Sequence, residues 1–232
     1  MQYKYCFNQN YEDFASGRVL YGANHVPNFP VRLINEIFQR CLAYSDKKEN
    51  ICLYDCCCGG GYSLTVLGFL NQSSISSIIG SDINPDMINT ARKNLSLLSK
   101  KGLIKRKDEV QALYEKYRKA SHIEAEQSIG RLSQFLIKEI SVRVFQADAL
   151  NLTDTKDRPD IIITDVPYGN LVEWQGHDGC LDRLLCSLKT ISSGQTIIAI
   201  SMNKSQKITQ SGVKRLESQS IGKRRFEIFQ FK

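Results

Sequence analysis

Ile51-Cys52-Leu53-Tyr54-Asp55-Cys56-Cys57-Cys58-Gly59-Gly60-Gly61-Tyr62 is the stretch on which the fold turns: an apolar run ends in a carboxylate, and three consecutive glycines then lead into an apolar segment of helical length. Glycines at a strand-to-helix junction let the backbone approach a ligand closely, because no side chain stands in the way and positive φ costs little. A sharp turn without a ligand is the plainer reading of the same residues. The dinucleotide fingerprint G-x-G-x-x-G fails here, since Gly59 and Gly61 are followed at its last position by Leu64.

Outward from this junction strand and helix alternate, which predicts an α/β fold: a doubly wound, mostly parallel sheet with helices on its faces. Strands are expected at 51–56, 75–83, 142–147, 160–165 and 196–202, and helices at 62–70, 85–98 and 181–191. The segment 103–140 breaks the rhythm, because loops in such folds run to about 2–6 residues. Within it Val110, Leu113, Tyr114 and Tyr117, then Ile129, Leu132, Leu136 and Ile140, recur at helical spacing and predict an inserted helical pair. Val213 to Ile221 and Arg225 to Phe231, separated by Gly222-Lys223-Arg224, predict a C-terminal antiparallel hairpin at one edge. Residues 1–45 read as an aromatic-rich arm followed by a helix from about Pro30, packed on a core domain of residues 46–232. Ile34, Ile37, Phe38, Cys41 and Leu42 give that helix one apolar face.

Composition is that of an ordinary globular chain: 232 residues, 42% hydrophobic and 24% charged, which suits one domain with an appendage. There is no apolar run of about 18 residues, and Met1-Gln2-Tyr3-Lys4-Tyr5 is not a charged leader, so a cytoplasmic protein with no membrane association is expected. Of the eight cysteines three are consecutive and none forms a C-x-x-C pair, which argues for free thiols and against a metal site. A net charge of +7 favours a polyanionic partner. Basic residues cluster at Lys100-Lys101, Lys105-Arg106-Lys107, Lys214-Arg215 and Lys223-Arg224-Arg225, and would form a phosphate-binding face if they converge.

The first four predicted strands end in polar residues suited to a ligand. The second ends Gly80-Ser81-Asp82-Ile83-Asn84-Pro85, where a carboxylate can accept both hydroxyls of a ribose, while Asn84 or Asp82 can equally cap the next helix. The third ends Gln146-Ala147-Asp148-Ala149, which places Asp148 to accept from an adenine amino group or leaves it a loop acid. The fourth delivers Asp165-Val166-Pro167-Tyr168-Gly169, a carboxylate, a stiffened turn and an aromatic, although Pro, Tyr and Gly are also ordinary turn formers. Asp165 and carbonyls near Val166 and Pro167 can accept hydrogens from the edge of a planar base while Tyr168 stacks on its face. Trp174, in the loop that follows, either clamps the base or anchors the loop, and His177 reads as a solvated histidine. Arg18 and Arg32 are candidates for a cofactor carboxylate or an RNA phosphate, with surface ion pairing as the equal alternative.

The order of these four tips resembles the class I methyltransferases that use S-adenosyl-L-methionine. The resemblance implies that Asp55, Cys56, Cys57, Gly59, Gly60 and Gly61 surround the amino acid moiety of that cofactor. It places Asp82 with Ile83 at the ribose, Asp148 with Ala149 at the adenine, and Asp165 against both cofactor and acceptor. The usual glycine pattern is departed from at Cys56, Cys57 and Cys58. More narrowly, Tyr54 to Tyr62, Ser81-Asp-Ile-Asn-Pro85 and Thr164 to Gly169, with Ser16-Gly-Arg-Val-Leu20 and Phe29-Pro-Val-Arg-Leu33, are similar to the avilamycin-resistance group that methylates a guanine of large-subunit ribosomal RNA. The resemblance implies a monomer acting on ribosomal RNA or the large subunit, with Asp165, Pro167 and Tyr168 catalytic. Arg18, Arg32, Trp174, Lys105, Arg106, Lys223, Arg224 and Arg225 would contact RNA, and the target is the ring nitrogen or the exocyclic amine. Three rivals share these residues: an amino-methyltransferase of DNA or another RNA, a small-molecule or protein methyltransferase, and a non-catalytic RNA- or ribosome-binding protein on the same fold.

Overall fold

The computed structural model describes residues 1–15, 17–22, 28–153, 158–166, 180–209 and 211–232. Seven strands form one sheet in the order β3-β2-β1-β4-β5-β7-β6. They are β1 (Ile51–Asp55), β2 (Ile75–Asp82), β3 (Ser141–Gln146), β4 (Ile161–Asp165), β5 (Ile197–Asn203), β6 (Val213–Ile221) and β7 (Arg224–Phe231). The first five pair in parallel; β7 pairs antiparallel with β5 and with β6, which makes the expected C-terminal hairpin. The turn is one residue tighter than the sequence suggested, because Gly222 takes a φ of +57° and lets Arg224 start the strand.

Alternation of side chains along the central strands sorts the core onto two faces. Ile161, Ile163, Ile197 and Ala199 face α1 (Val31–Tyr44), α2 (Tyr62–Leu70) and α3 (Pro85–Ser96), whereas Ile162, Ile198, Ile200 and Met202 face α6 (Cys180–Ile191). Strands buried on both faces read as continuous apolar runs, which is why Ile161-Ile162-Ile163 is legible as a central strand. Sheet order reverses between β1 and β4, and ligand crevices in such sheets open at the carboxyl ends of the strands at this reversal.

The amino-terminal arm is fastened to α1 by a buried charge. Glu36 accepts the backbone N–H groups of Lys4, Tyr5 and Cys6 at 2.7, 2.9 and 2.9 Å, and Arg40 Nε at 2.8 Å. Burial works against its charge, yet these donors hold its carboxyl below the usual range. Arg40 also reaches Glu217 on β6 and the Gln2 carbonyl.

The insertion is a pair of packed helices, α4 (Lys100–Tyr117) and α5 (Ala120–Ser133). It begins three residues before the expected Leu103, because the Ser99 side chain caps it by accepting from the Gly102 N–H at 3.1 Å. The second helix ends at Ser133, so Leu136 and Ile140, read as its continuation, pack from the irregular segment before β3 instead. Among the described residues no helix is long and apolar enough to cross a membrane.

Candidate active site

Asp55 ends β1 and Asp165 ends β4, so the two carboxylates stand at the carboxyl ends of neighbouring strands where the sheet order reverses, the place at which ligand crevices open in such sheets. Asp55 is buried, and desolvation, reinforced by the nearby charges of Asp82 and Asp165, pushes its carboxyl up to about 7. The Cys57 N–H, which it accepts at 3.0 Å, and the Thr164 hydroxyl work in the opposite direction. Desolvation likewise pushes Asp165 up to about 6, against the Ser201 hydroxyl and the Arg224 charge. Asp165 Oδ1 is buried with no hydrogen-bond partner among the described residues. Such an acceptor is costly to leave unmade, so it marks a place where a donor belongs.

The glycine loop is drawn over the end of β2. Cys58 N–H donates to the Ser81 carbonyl at 2.9 Å, and Gly59 N–H to Asp82 Oδ2 at 2.8 Å. Asp82 Oδ1 accepts the Asn84 N–H at 2.9 Å, and Asn84 caps α3 by accepting from Asp86 N–H at 2.9 Å. The cap of α3 therefore falls on Asn84 and not on Asp82. Ile83 is half exposed beside Asp82, an apolar surface available to a flat ring. Asp148 caps the short turn Ala149–Asn151, accepting from Leu150 N–H at 2.9 Å and from the Asn151 side chain. The Ala147 N–H donates to the Asp82 carbonyl at 3.1 Å, which keeps these two acids on adjacent strand tips. The thiols of Cys57 and Cys58 are pushed well up, chiefly by the Cys56 side chain for the first and by burial for the second, so both stay protonated. Among the described residues no cluster of His, Cys, Asp or Glu could hold a metal ion.

Gly61 opens α2 with a φ of +73°, and a Cβ there would lie 3.0 Å from the Ala91 backbone on α3. Both the conformation and the clearance demand glycine. Gly61→Ala is expected to cost about 2 kcal/mol and to lower the melting temperature by about 4–8 °C. An alanine variant that melts with the wild type would disprove this reading of the loop.

The basic candidates separate in the fold. Lys223 is exposed in the β6–β7 turn, and Arg224 lies over the Phe29 ring at 4.8 Å, its charge felt by Asp165. Asn203 pairs with Arg224 in register, which brings this turn to the crevice end of β5. Arg225 is partly buried and donates to the Gln206 carbonyl at 3.3 Å. Lys204 and Lys207 are exposed on the same rim, although isolated lysines gave no cluster signal in the sequence. Lys105 is exposed on α4, at a distance along the insertion.

Arg106 departs from expectation. It is buried, donates Nε to the Val19 carbonyl at 2.9 Å and stacks at 4.3 Å on Tyr21, so it is an internal strut and not a phosphate contact on the surface. Arg18 pairs with Glu124 at 3.1 Å, and Arg32 donates to the Cys6 carbonyl at 3.0 Å while covering the Tyr3 ring at 3.8 Å. Pro167, Tyr168, Trp174 and His177 lie outside the described residues. One site residue went unread in the sequence: buried Asn94 on α3, whose Nδ2 donates to the Gly60 carbonyl at 2.7 Å. A lone Asn within an amphipathic helix carries no local signal of that contact.

Comparison with known proteins accords with this geometry. A Streptomyces viridochromogenes protein named 23S rRNA (guanine(2535)-N(1))-methyltransferase is 40% identical over 222 residues, which cover 91% of this chain and 88% of that one. Two solved structures of the rRNA methyltransferase AviRa from the same organism, at 1.5 and 2.4 Å, superpose with TM-scores of 0.89 and 0.87 at 35% and 36% identity. They match 99% and 98% of this chain over 96% of theirs. The rRNA methyltransferase AviRa family matches residues 1–224, and the chain belongs to that family.

Proposed function

We propose that the crevice between β1 and β4 binds S-adenosyl-L-methionine and that the protein methylates N1 of a guanine in large-subunit ribosomal RNA. The observation that carries this reading is the buried, unpartnered Oδ1 of Asp165 at the reversal of the sheet. The residues present fit the cofactor. Four carboxylates, Asp55, Asp82, Asp148 and Asp165, stand on the strand tips and suit a ligand bearing cationic groups, and a Cβ placed on Gly59 would meet nothing within 4 Å. Asp55 and the Cys57–Gly61 backbone would hold the amino acid moiety, Asp82 and Ile83 the ribose, and Asp148 with Ala149 the adenine. When bound, the cofactor supplies a methyl group on a positively charged sulfur, which leaves without acid assistance.

What the protein must add is position and a proton acceptor. Guanine N1 carries a hydrogen that has to depart as the new N–C bond forms, and the Asp165 carboxylate is the acceptor for it. Lys204, Lys207, Lys223 and Arg224 on the rim suit RNA phosphates, and the target base must be unstacked to enter. The sequence left N1 and the exocyclic amine equally open; the 40% identical relative, named for N1 methylation, favours N1.

Asp82→Ala is expected to weaken S-adenosylmethionine binding by about 10- to 100-fold, the loss of charge-assisted bonds, as read by calorimetry. Unchanged affinity would remove Asp82 from the site. The substrate is tested by transferring labelled methyl to unmodified 23S rRNA and to large subunits. Mass spectrometric mapping then locates the methylated guanine, and a primer-extension stop at that nucleotide tests N1 against the exocyclic amine of identical mass, because N1-methylation blocks the Watson–Crick edge. Methylation confined to DNA, peptides or another RNA would overturn the proposal.

A further inference from the structure

Residues 13–15 and 17–21 are gripped from two directions. On the side of the insertion, α5 takes its start: Ser128 Oγ donates to the Asp13 carboxylate at 2.7 Å, and Arg131 donates to it at 2.6 and 2.8 Å. Helix α4 takes its end. Arg106 donates to the Val19 and Arg18 carbonyls at 2.9 and 3.5 Å, and the Tyr21 hydroxyl donates to Glu109 at 2.7 Å. On the side of the crevice, this segment holds the glycine loop. The hydroxyl of Tyr62, the residue following Gly61, donates to the Phe14 carbonyl at 2.9 Å. Asn94 accepts from the Tyr21 N–H at 2.7 Å and donates to the Tyr21 and Gly60 carbonyls at 3.0 and 2.7 Å.

We propose that residues 13–15 and 17–21 act as a strap through which the helical insertion sets the cofactor loop, with Arg106, Tyr21 and Asn94 as its positioning residues. The inference rests on the cofactor site proposed above. Asn94 is fully buried, and both backbone groups of Tyr21 bind its amide, which fixes the amide orientation and hence the direction from which Gly60 is held. Tyr21 is in turn held by Arg106, whose ring contact and two carbonyl bonds leave the guanidinium little freedom. A displacement of α4 is therefore passed through Tyr21 and Asn94 to Gly60.

Arg106→Met keeps the apolar stem and removes the guanidinium bonds. In the unliganded protein, hydrogen exchange of the amides of residues 58–62 is expected to accelerate at least about threefold, while those of β5 stay protected. The Kd for S-adenosylmethionine should rise about 3- to 10-fold, with the KM for RNA at saturating cofactor unchanged. Unaltered exchange at 58–62 in folded Arg106→Met would overturn the strap, as would a raised KM for RNA with wild-type cofactor affinity. Should that variant not fold, Tyr21→Phe, which loses only the bond to Glu109, should give a smaller change at the same amides, and no change there would count against the proposal equally. Because the exchange is measured without ligand, it decides the strap even if S-adenosylmethionine proves not to bind, a result that would sink the cofactor reading alone.

Discussion

Asp165→Asn is expected to lower methyl transfer to unmodified 23S rRNA by about 10²- to 10⁴-fold while leaving S-adenosylmethionine affinity within about tenfold. An amide fills the same volume and still accepts a hydrogen bond through its oxygen, so the base can be held, but it cannot take the proton that guanine N1 must lose. The wild-type group is suited to that task. Burial lifts its carboxyl to about 6, which makes it a better base than an ordinary aspartate yet leaves it mostly ionised at neutral pH. Activity should therefore rise with pH through about 6 and level off above 7, and this rise should vanish in the residual activity of the variant. Single-turnover rates with labelled cofactor, set beside calorimetry, separate the two effects. Wild-type turnover in Asp165→Asn would refute the assignment.

Asp55→Asn should stabilise the unliganded protein at pH 8 and weaken its hold on the cofactor. In the unfolded chain this carboxyl titrates near 3.8; in the folded protein, burial first and then the charges of Asp82 and Asp165 lift it to about 7. Between those values the folded form keeps a proton that the unfolded form has released, so stability falls as pH rises through the window. The full difference corresponds to about 4 kcal/mol, and Asp165 adds a loss of the same sign that is complete above about 6. Asparagine retains the acceptor for the Cys57 N–H without the buried charge. The expected outcome is a melting temperature at least about 4 °C above wild type at pH 8, shrinking to nothing near pH 4. Equal pH slopes in the two proteins would mean that Asp55 is solvated in the native state. The trade of stability for an ionised group facing a cationic ligand is the pattern expected of a binding site.

How legible each part was depended on the range of the interaction behind it. The strand ends at Asp55, Asp82 and Asp165 were readable because apolar runs, glycines and helix-starting prolines act on their immediate neighbours. The insertion starts three residues before its apolar pattern does, because Ser99 caps a helix whose first turn, Lys100-Lys101-Gly102, has no apolar face. The second helix stops short of the helical spacing in the sequence because Ile140, buried, and Leu136, partly buried, reach the core from irregular backbone. Basic clusters were the least reliable signal. Lys105, Arg106 and Lys107 are adjacent in sequence, yet Lys105 is exposed, Arg106 is buried against backbone carbonyls and Lys107 pairs with Glu126 at 3.2 Å.

By itself, then, the sequence determined the parallel sheet, the glycine loop and the acids at the strand tips, since each follows from contacts within a few residues along the chain. Only the tertiary structure decided which of those acids is buried enough to titrate near neutrality, and which cations rim the crevice and which are struts. It alone revealed Asn94 as the hold on Gly60. These outcomes depend on partners far apart in the chain, 87 positions for Arg106 and Val19 and 34 for Asn94 and Gly60, and desolvation arises only once the elements have packed.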